Sequence, residues 1–316
     1  MTRRKPCKIQ KSFSNMAIIT YEDLEKVSPV FKGKGGHFLV DTLFKMVNLD
    51  DFTRVYDNIS SYAGNEFAQK VLETTGVDYL IAGSEVLGNL PEEGFITIHN
   101  HPYGGVDGVI VLDLFGGARK DYKVMVNKIL GYMKALNPGI ISVTPTGEER
   151  TAPTSDSIKG VREAMKHLRD GHPLGLFPSG AVSDLKPKER WIIRDREWQE
   201  PIIRLIKKAR VPVIPVHFLD HNSMFYYRLG LISWKIRLLR LPTEVIDKGG
   251  KTVRLTIGQP VSVEEQSRYT DIAEYGKFLR SLVYDMPVPP PSSFVRRSEL
   301  VLPNSPAYTV GQPVRL

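Results

Sequence analysis

The chain has 316 residues and a mass of 35.6 kDa, with 41% hydrophobic and 25% charged residues. These proportions exclude wholesale disorder, collagen and coiled coil, and the length is enough to bury a core without covalent staples. The single cysteine, Cys7, excludes a disulfide framework and a Cys-rich zinc site.

The net charge of +8 sits mainly at the two ends of the chain. Residues 1–15 carry five Lys/Arg and no acid, and residues 287–316 carry three Arg and one Glu, which leaves the body near neutrality. A nucleic-acid binder carries its basic face on the folded domain, so this distribution argues against nucleic acid as a partner. No stretch of 18 uncharged apolar residues occurs, and the N-terminus lacks an apolar core of signal-peptide length. A cytoplasmic location is therefore expected.

In chain order, residues 1–15 read as a basic, flexible arm. Residues 16–78 read as a helical region, with Leu43, Phe44 and Val47 at helical spacing. Short apolar runs at 79–82, 95–98, 140–143, 174–177 and 213–216 are of strand length and bounded by turn residues. The last, taken as Val211–Val216, carries Pro212 and Pro215, which points to an edge strand or an irregular strand end. Helical patterns separate these runs. In 155–170, Ile158, Val161, Met165 and Leu168 share one face and Gly171 is a natural stop, and residues 197–210 and 270–285 read similarly.

Such alternation predicts an α/β domain over 79–286, with a mostly parallel central sheet flanked by helices. Residues 287–316 hold seven prolines and no sustained period, so a flexible tail is expected. Function in folds of this kind concentrates just past the carboxyl ends of the strands.

The run after the second strand is Asn100-His-Pro-Tyr-Gly104-Gly105-Val-Asp107-Gly108. A strand ends, a turn follows, and a helix begins, so the His101 and Asp107 side chains are placed to meet. A carboxylate bonded to one imidazole nitrogen fixes the tautomer and leaves the other as a base. A turn-capping His101 and a helix-capping Asp107 are the alternative. The run Phe177-Pro178-Ser179-Gly180 ends another buried strand, and backbone N–H groups around Gly180 are candidates to hold an oxyanion. Ser179 lacks the Gly-x-Ser-x-Gly setting of a nucleophile.

In order, these elements resemble the glycerolipid (PlsC-like) acyltransferase superfamily, and within it the bacterial hemolysin-related lyso-lipid branch. The matching blocks are Asn100–Gly108, Phe177–Gly180, Ile193–Trp198, Val211–Val216 with Asn222-Ser223, and Ile257–Pro260. The resemblance implies acyl transfer from a thioester, on acyl carrier protein or coenzyme A, to a lyso-lipid hydroxyl, with no other cofactor and no metal. His101 would be the base and Asp107 its orienting partner. Asn100, Gly104, Gly105, Phe177, Pro178, Ser179 and Gly180 would line the substrate site. The wider superfamily has Glu where Ser179 stands, and the branch often has Glu at Ala181. Both departures argue against glycerol 3-phosphate chemistry and leave a lyso-phospholipid or an amino-acid-containing lyso-lipid, of the ornithine- or glycine-lipid type, as the expected acceptor.

Arg190, Arg194 and Arg196, with Arg150 upstream, are candidate headgroup binders, since guanidinium forks suit phosphate or carboxylate. Residues 224–241 combine aromatic and aliphatic side chains with four Lys/Arg and no acid. That composition suits an interfacial element on a membrane surface, although 234–238 also alternates like a strand. The expected location is peripheral, on the inner face of the cytoplasmic membrane. Two other readings stay open. One is a metal hydrolase using His99 and His101 with His217, Asp220 and His221, and the other is a non-catalytic lipid-binding module.

Overall fold

A computed structural model describes residues 55–127, 130, 133–143, 155–232 and 234–312, together with Gly33, Gly35 and Gly36. The arm over 1–15, most of the helical region over 16–78, and Arg150 lie outside the described residues. The chain divides into two compact units, Met1–Leu49 and Asp50–Leu316, and the sheet with its flanking helices lies in the second.

The strands are β1 (Leu80–Ala82), β2 (Ile96–His99), β3 (Lys123–Asn127), β4 (Ile140–Val143), β5 (Leu174–Leu176), β6 (Asp184–Lys186), β7 (Ile192–Arg194), β8 (Val213–Phe218), β9 (Arg254–Ile257) and β10 (Val295–Arg296). The helices are α1 (Gly64–Thr75), α2 (Gly105–Ala118), α3 (Ser155–Arg169), α4 (Glu200–Ala209), α5 (Met224–Ile232), α6 (Trp234–Leu239), α7 (Leu241–Ile246), α8 (Val263–Ser267) and α9 (Ile272–Tyr284).

Eight strands form one sheet in the order β10-β1-β9-β8-β2-β5-β3-β4, and β6 with β7 forms a separate hairpin. Neighbours in the sheet pair in parallel except β8 with β9 and β1 with β10. The chain thus adopts the expected α/β class, with a mostly parallel sheet flanked by helices.

The two faces bury different side chains, following the two-residue period of a strand. Along β2, Ile96 and Ile98 pack into the cluster shared with α3, α4 and α9, whereas Phe95 joins the cluster of α1 and α2. In α3 the buried stripe is Gly160, Ala164 and Leu168, while Ile158 and Val161 are exposed, so the expected face is corrected. The cause is a close approach to β4: a Cβ at Gly160 would meet the Ser142 carbonyl oxygen at 2.6 Å.

Strand β8 is also corrected, because it lies inside the sheet between β2 and β9 rather than at an edge. Pro215 is tolerated there because its own carbonyl accepts from Gly258 N–H, just beyond the β8–β9 ladder that begins at Val216. Its missing N–H therefore faces a place where the ladder has already ended. Residues 234–238 are helical, not a strand.

Beyond Met286 the chain is extended, as expected, but it is docked rather than free. Strand β10 pairs with β1, Leu302 and Tyr308 are buried, and the Arg297 side chain is 1% exposed against Asp113. The expectation of a flexible tail overlooked that an ion pair inside the core ties this segment down.

Candidate active site

Strands β2, β5 and β8 run side by side and in the same direction, so their carboxyl ends bring residues 99–101, 177–180 and 217–222 to one rim of the sheet. His101 leaves β2 in a turn that ends where α2 begins. Its Nδ1–H donates to Asp107 Oδ2 at 3.0 Å. Asp107 also accepts from the backbone N–H groups of Tyr103 (3.0 Å), Gly104 (3.1 Å) and Gly108 (2.9 Å). One fully buried carboxylate thus bonds the His101 ring and also caps the turn into α2.

Gly104 allows this turn to close. Its φ is +77°, and a Cβ would meet Val182 at 2.7 Å and Leu241 at 2.9 Å. A Cβ on Gly105 would press on Val245 at 3.0 Å.

With Nδ1 committed to Asp107, Nε2 is the nitrogen left to take a proton. Burial opposes protonation of His101, but the charge and hydrogen bond of Asp107 outweigh it and hold the imidazole above the usual histidine range. The Phe177 ring covers one side of His101, with centroids 4.2 Å apart.

A second carboxylate supports the turn from behind. Asp195, fully buried, accepts from His101 N–H at 3.1 Å, from the Ser183 hydroxyl at 2.5 Å and from Trp198 Nε1–H at 3.2 Å. Ser183 N–H in turn donates to the His101 carbonyl at 2.9 Å. Burial pushes the Asp195 carboxyl up from its ordinary range, and these donors offset that only in part.

Several expected substrate groups are already engaged. The Asn100 amide makes both its bonds to the Phe218 backbone, 2.9 Å from Nδ2 and 2.7 Å to Oδ1, and so clamps β2 to β8. The Ser179 hydroxyl donates to the Ala181 carbonyl, and Pro178 is buried with its carbonyl accepting from Gln199 N–H. Gly180 N–H donates to the Phe177 carbonyl at 2.9 Å, which closes the turn and engages one of the backbone donors expected around Gly180.

Of the arginines, Arg190 is exposed on the β6–β7 hairpin and Arg196 pairs with Asp184 at 2.6 Å. Arg194 lines an open cavity of about 410 Å³ together with Asn100, Pro102, Ser183, His217 and Tyr284, and Arg196 lines a second of about 340 Å³. The Arg194 guanidinium lies over the Tyr284 ring, 4.5 Å from the centroid, and its buried Nε has no partner among the described residues. Burial and the nearby Arg194 drop the His217 pKa to about 4.

The metal-ligand set of the rival reading is not brought together. His99 Nδ1–H donates to the Leu176 carbonyl at 2.9 Å, burial lowers its pKa to about 3, and Asp220 is held by Arg254 at 2.6 Å. Among the described residues, no three His, Cys, Asp or Glu side chains gather around a point where a metal ion would sit.

A family model described as an acyltransferase matches residues 24–287. The chain belongs to that acyltransferase family. Its similarity to curated proteins extends over most of both chains. One is a lyso-glycine lipid O-acyltransferase of Bacteroides thetaiotaomicron, 29% identical over 79% of this chain and 90% of that one. Another, of the same name from Phocaeicola vulgatus, is 29% identical over 84% of this chain and 94% of that one. A solved structure, the 1-acyl-sn-glycerophosphate (LPA) acyltransferase PlsC from Thermotoga maritima, superimposes with a TM-score of 0.43. At 17% identity over 87% of this chain and 95% of that one, it is too loose a likeness to bear on the site.

For this acyltransferase the residue that sequence reasoning missed is Asp195. It stands in the block Ile193–Trp198, between two arginines that drew attention as headgroup binders. The available signal was an acid inside a matched block next to a strand-length apolar pair, Ile192 and Ile193.

Proposed function

We propose that the chain transfers a fatty acyl group from an acyl thioester, carried on acyl carrier protein or coenzyme A, to the hydroxyl of a lyso-lipid. His101 Nε2 removes the proton of the hydroxyl as its oxygen attacks the thioester carbonyl. Asp107 holds the imidazole in the tautomer that leaves Nε2 free and stabilises the imidazolium that forms. The tetrahedral adduct then collapses, its C–S bond breaks, and the thiolate takes the proton back from His101. One ester forms and one thioester breaks, so neither metal nor redox cofactor is required and the thioester is the only co-substrate.

The observation that carries this reading is the 3.0 Å bond from His101 Nδ1 to a buried carboxylate at the sheet rim where three parallel strands end. The similarity to two lyso-glycine lipid O-acyltransferases favours a lyso-glycine lipid over a lyso-phospholipid as acceptor. Arg194 fits such a headgroup: it lines the cavity that Asn100 and Pro102 also line, on either side of His101 in the chain, and a guanidinium suits a carboxylate. A lyso-lipid acceptor is presented in a leaflet, which makes the enzyme peripheral, on the inner face of the cytoplasmic membrane. Among the described residues no helix is long and apolar enough to cross a membrane.

The test is transfer of a labelled acyl group, in chelator, to lyso-glycine lipid, lyso-ornithine lipid and lyso-phospholipids, by wild type and His101→Ala. The expected result is transfer with lyso-glycine lipid preferred, reduced in the variant by about 10²–10⁴-fold or more at unchanged fold. Chelator-sensitive transfer, or transfer that survives His101→Ala, would overturn the dyad.

A further inference from the structure

Helices α5 and α6 are built inside out for a protein surrounded by water. At 100° per residue, positions 224, 225, 228, 231 and 232 of α5 share a sector of about 120°. That sector is exposed and holds Met224, Phe225, Leu231 and Ile232, the last 77% exposed, around Arg228. The opposite side, with Tyr226 and Tyr227, is buried. In α6, Trp234 and Leu238 are exposed one turn apart, whereas Arg237 points inward to Asp184 at 2.8 Å. Six large apolar side chains thus face outward within fifteen residues, far more than the scattered apolar exposure of an ordinary surface.

The inner sides of the same helices hold the active-site turn. The Tyr227 hydroxyl donates to the Pro102 carbonyl, and Asn222, just before α5, donates to the Tyr103 carbonyl at 2.8 Å. Arg237 donates to the Ser183 carbonyl at 3.1 Å, and Ser183 holds the His101 backbone. The apolar face therefore lies one helix thickness, about 10 Å, beyond the turn that carries His101. Its exposed cation is Arg228, at the centre of the sector, and residues 224–240 contain no acid, while Arg237 and Arg240 are turned to Asp184 and Asp247.

We infer that the outer face of α5 and α6 is the surface that seats the enzyme on a lipid leaflet bearing anionic headgroups. The inference rests on the lyso-lipid reading above and names the element that does the docking. An exposed ridge of Phe, Trp, Leu and Ile around a central arginine fits a fluid interface, where apolar side chains enter the acyl boundary and the cation meets headgroups. It also explains why the ridge stands directly behind the reacting histidine. An acceptor whose acyl chain stays in the leaflet reaches the dyad only if the dyad is held near the headgroup plane.

The test uses the full chain and the variant Phe225→Gln/Leu231→Gln/Ile232→Gln, whose positions are exposed and whose new residues keep the helix. Flotation is measured with vesicles of zwitterionic lipid alone and with vesicles that also contain an anionic phospholipid. Transfer is measured to an acceptor embedded in vesicles and to a short-chain acceptor free in solution. Wild type should float with the anionic vesicles. The variant should lose roughly tenfold in bound fraction and in transfer to the embedded acceptor, and keep its transfer to the soluble one.

Equal flotation of both proteins would overturn the inference. So would a variant that falls from dimer to monomer in light scattering, which assigns the face to a second copy. Loss confined to transfer from acyl carrier protein, with flotation intact, would assign it to the carrier and also overturn it. Wild type that floats but transfers to no acceptor would sink the acyltransfer reading alone, because flotation reports the surface independently.

Discussion

Helix α2 carries two aspartates six residues apart, Asp107 and Asp113, and both are fully buried against a basic side chain. Asp107 faces His101, and Asp113 faces Arg297 from the docked C-terminal segment. Around Asp113 every described group is committed: Tyr79 O–H and Arg297 Nε–H donate to Oδ2 at 2.6 and 2.8 Å, Arg297 Nη2–H donates to Oδ1, and Nη1–H goes to the Leu300 carbonyl. Around Asp107 the carboxylate is equally well satisfied, but its partner is not enclosed. The His101 side chain is 16% exposed, against 1% for Arg297, and has a second ring nitrogen to use. A buried ion pair is therefore no sign of chemistry in itself. What separates the two is a titratable partner with one edge open at the rim where the parallel strands end.

The sharpest way to break this comparison is Asp107→Asn. The amide keeps the shape but removes the charge and disturbs the tautomer, so kcat should fall by about 10²–10⁴-fold with a small change in KM. The pH profile supplies the sign. The base must be neutral, so in the wild type the rate should rise with pH through the His101 pKa, which Asp107 holds above the ordinary histidine value. Without that charge burial dominates, and the midpoint should move to lower pH. A profile whose midpoint stays in place would mean that another group limits the rate.

Arg297→Met probes the other aspartate. It leaves Asp113 buried without its cation and should cost about 3–5 kcal/mol of stability in denaturant unfolding. Activity per folded molecule, measured well below the midpoint, should match the wild type. A catalytic loss as large as that of Asp107→Asn, at intact stability, would erase the distinction between the two pairs.

The same contrast explains what the sequence made legible. The turn from Asn100 to Gly108 could be read because all of its parts are local: a strand end, three glycines and a carboxylate within nine residues. The pairing of Asp113 with Arg297 spans 184 residues, and no local pattern announces it, so the C-terminal segment reads as a free tail. Strands β3 and β9 were missed for a related reason. Lys123-Val-Met-Val-Asn127 carries polar ends that helices share, and Arg254–Ile257 gives too short an apolar run to stand out. In α3 the apolar period was right but the face was not, because the close contact at Gly160 outweighed the larger side chains. Asn100 and Gly180 have residue types that suit substrate contact, and only the structure reveals that their donors are spent on Phe218 and Phe177.

Asp195 gives the smallest of the expected effects and the finest cut between structural and chemical roles. Three donors converge on its two oxygens, from the His101 backbone, Ser183 and Trp198. Asp195→Asn turns an N–H₂ towards at least one of them, so a buried donor is left unpaired at a cost of about 1–3 kcal/mol in stability. If Asp195 were only a brace, that would be the whole effect. Its charge, however, adds to that of Asp107 in favouring the imidazolium of His101. The variant should therefore also lose roughly tenfold in kcat, within the range of a misplaced base, and its rate profile should shift to lower pH. The shift should be smaller than in Asp107→Asn, because Asp195 bonds the backbone of His101 and not its ring. An unmoved midpoint together with reduced stability would make Asp195 a brace, and Asp107 the one carboxylate that tunes the base.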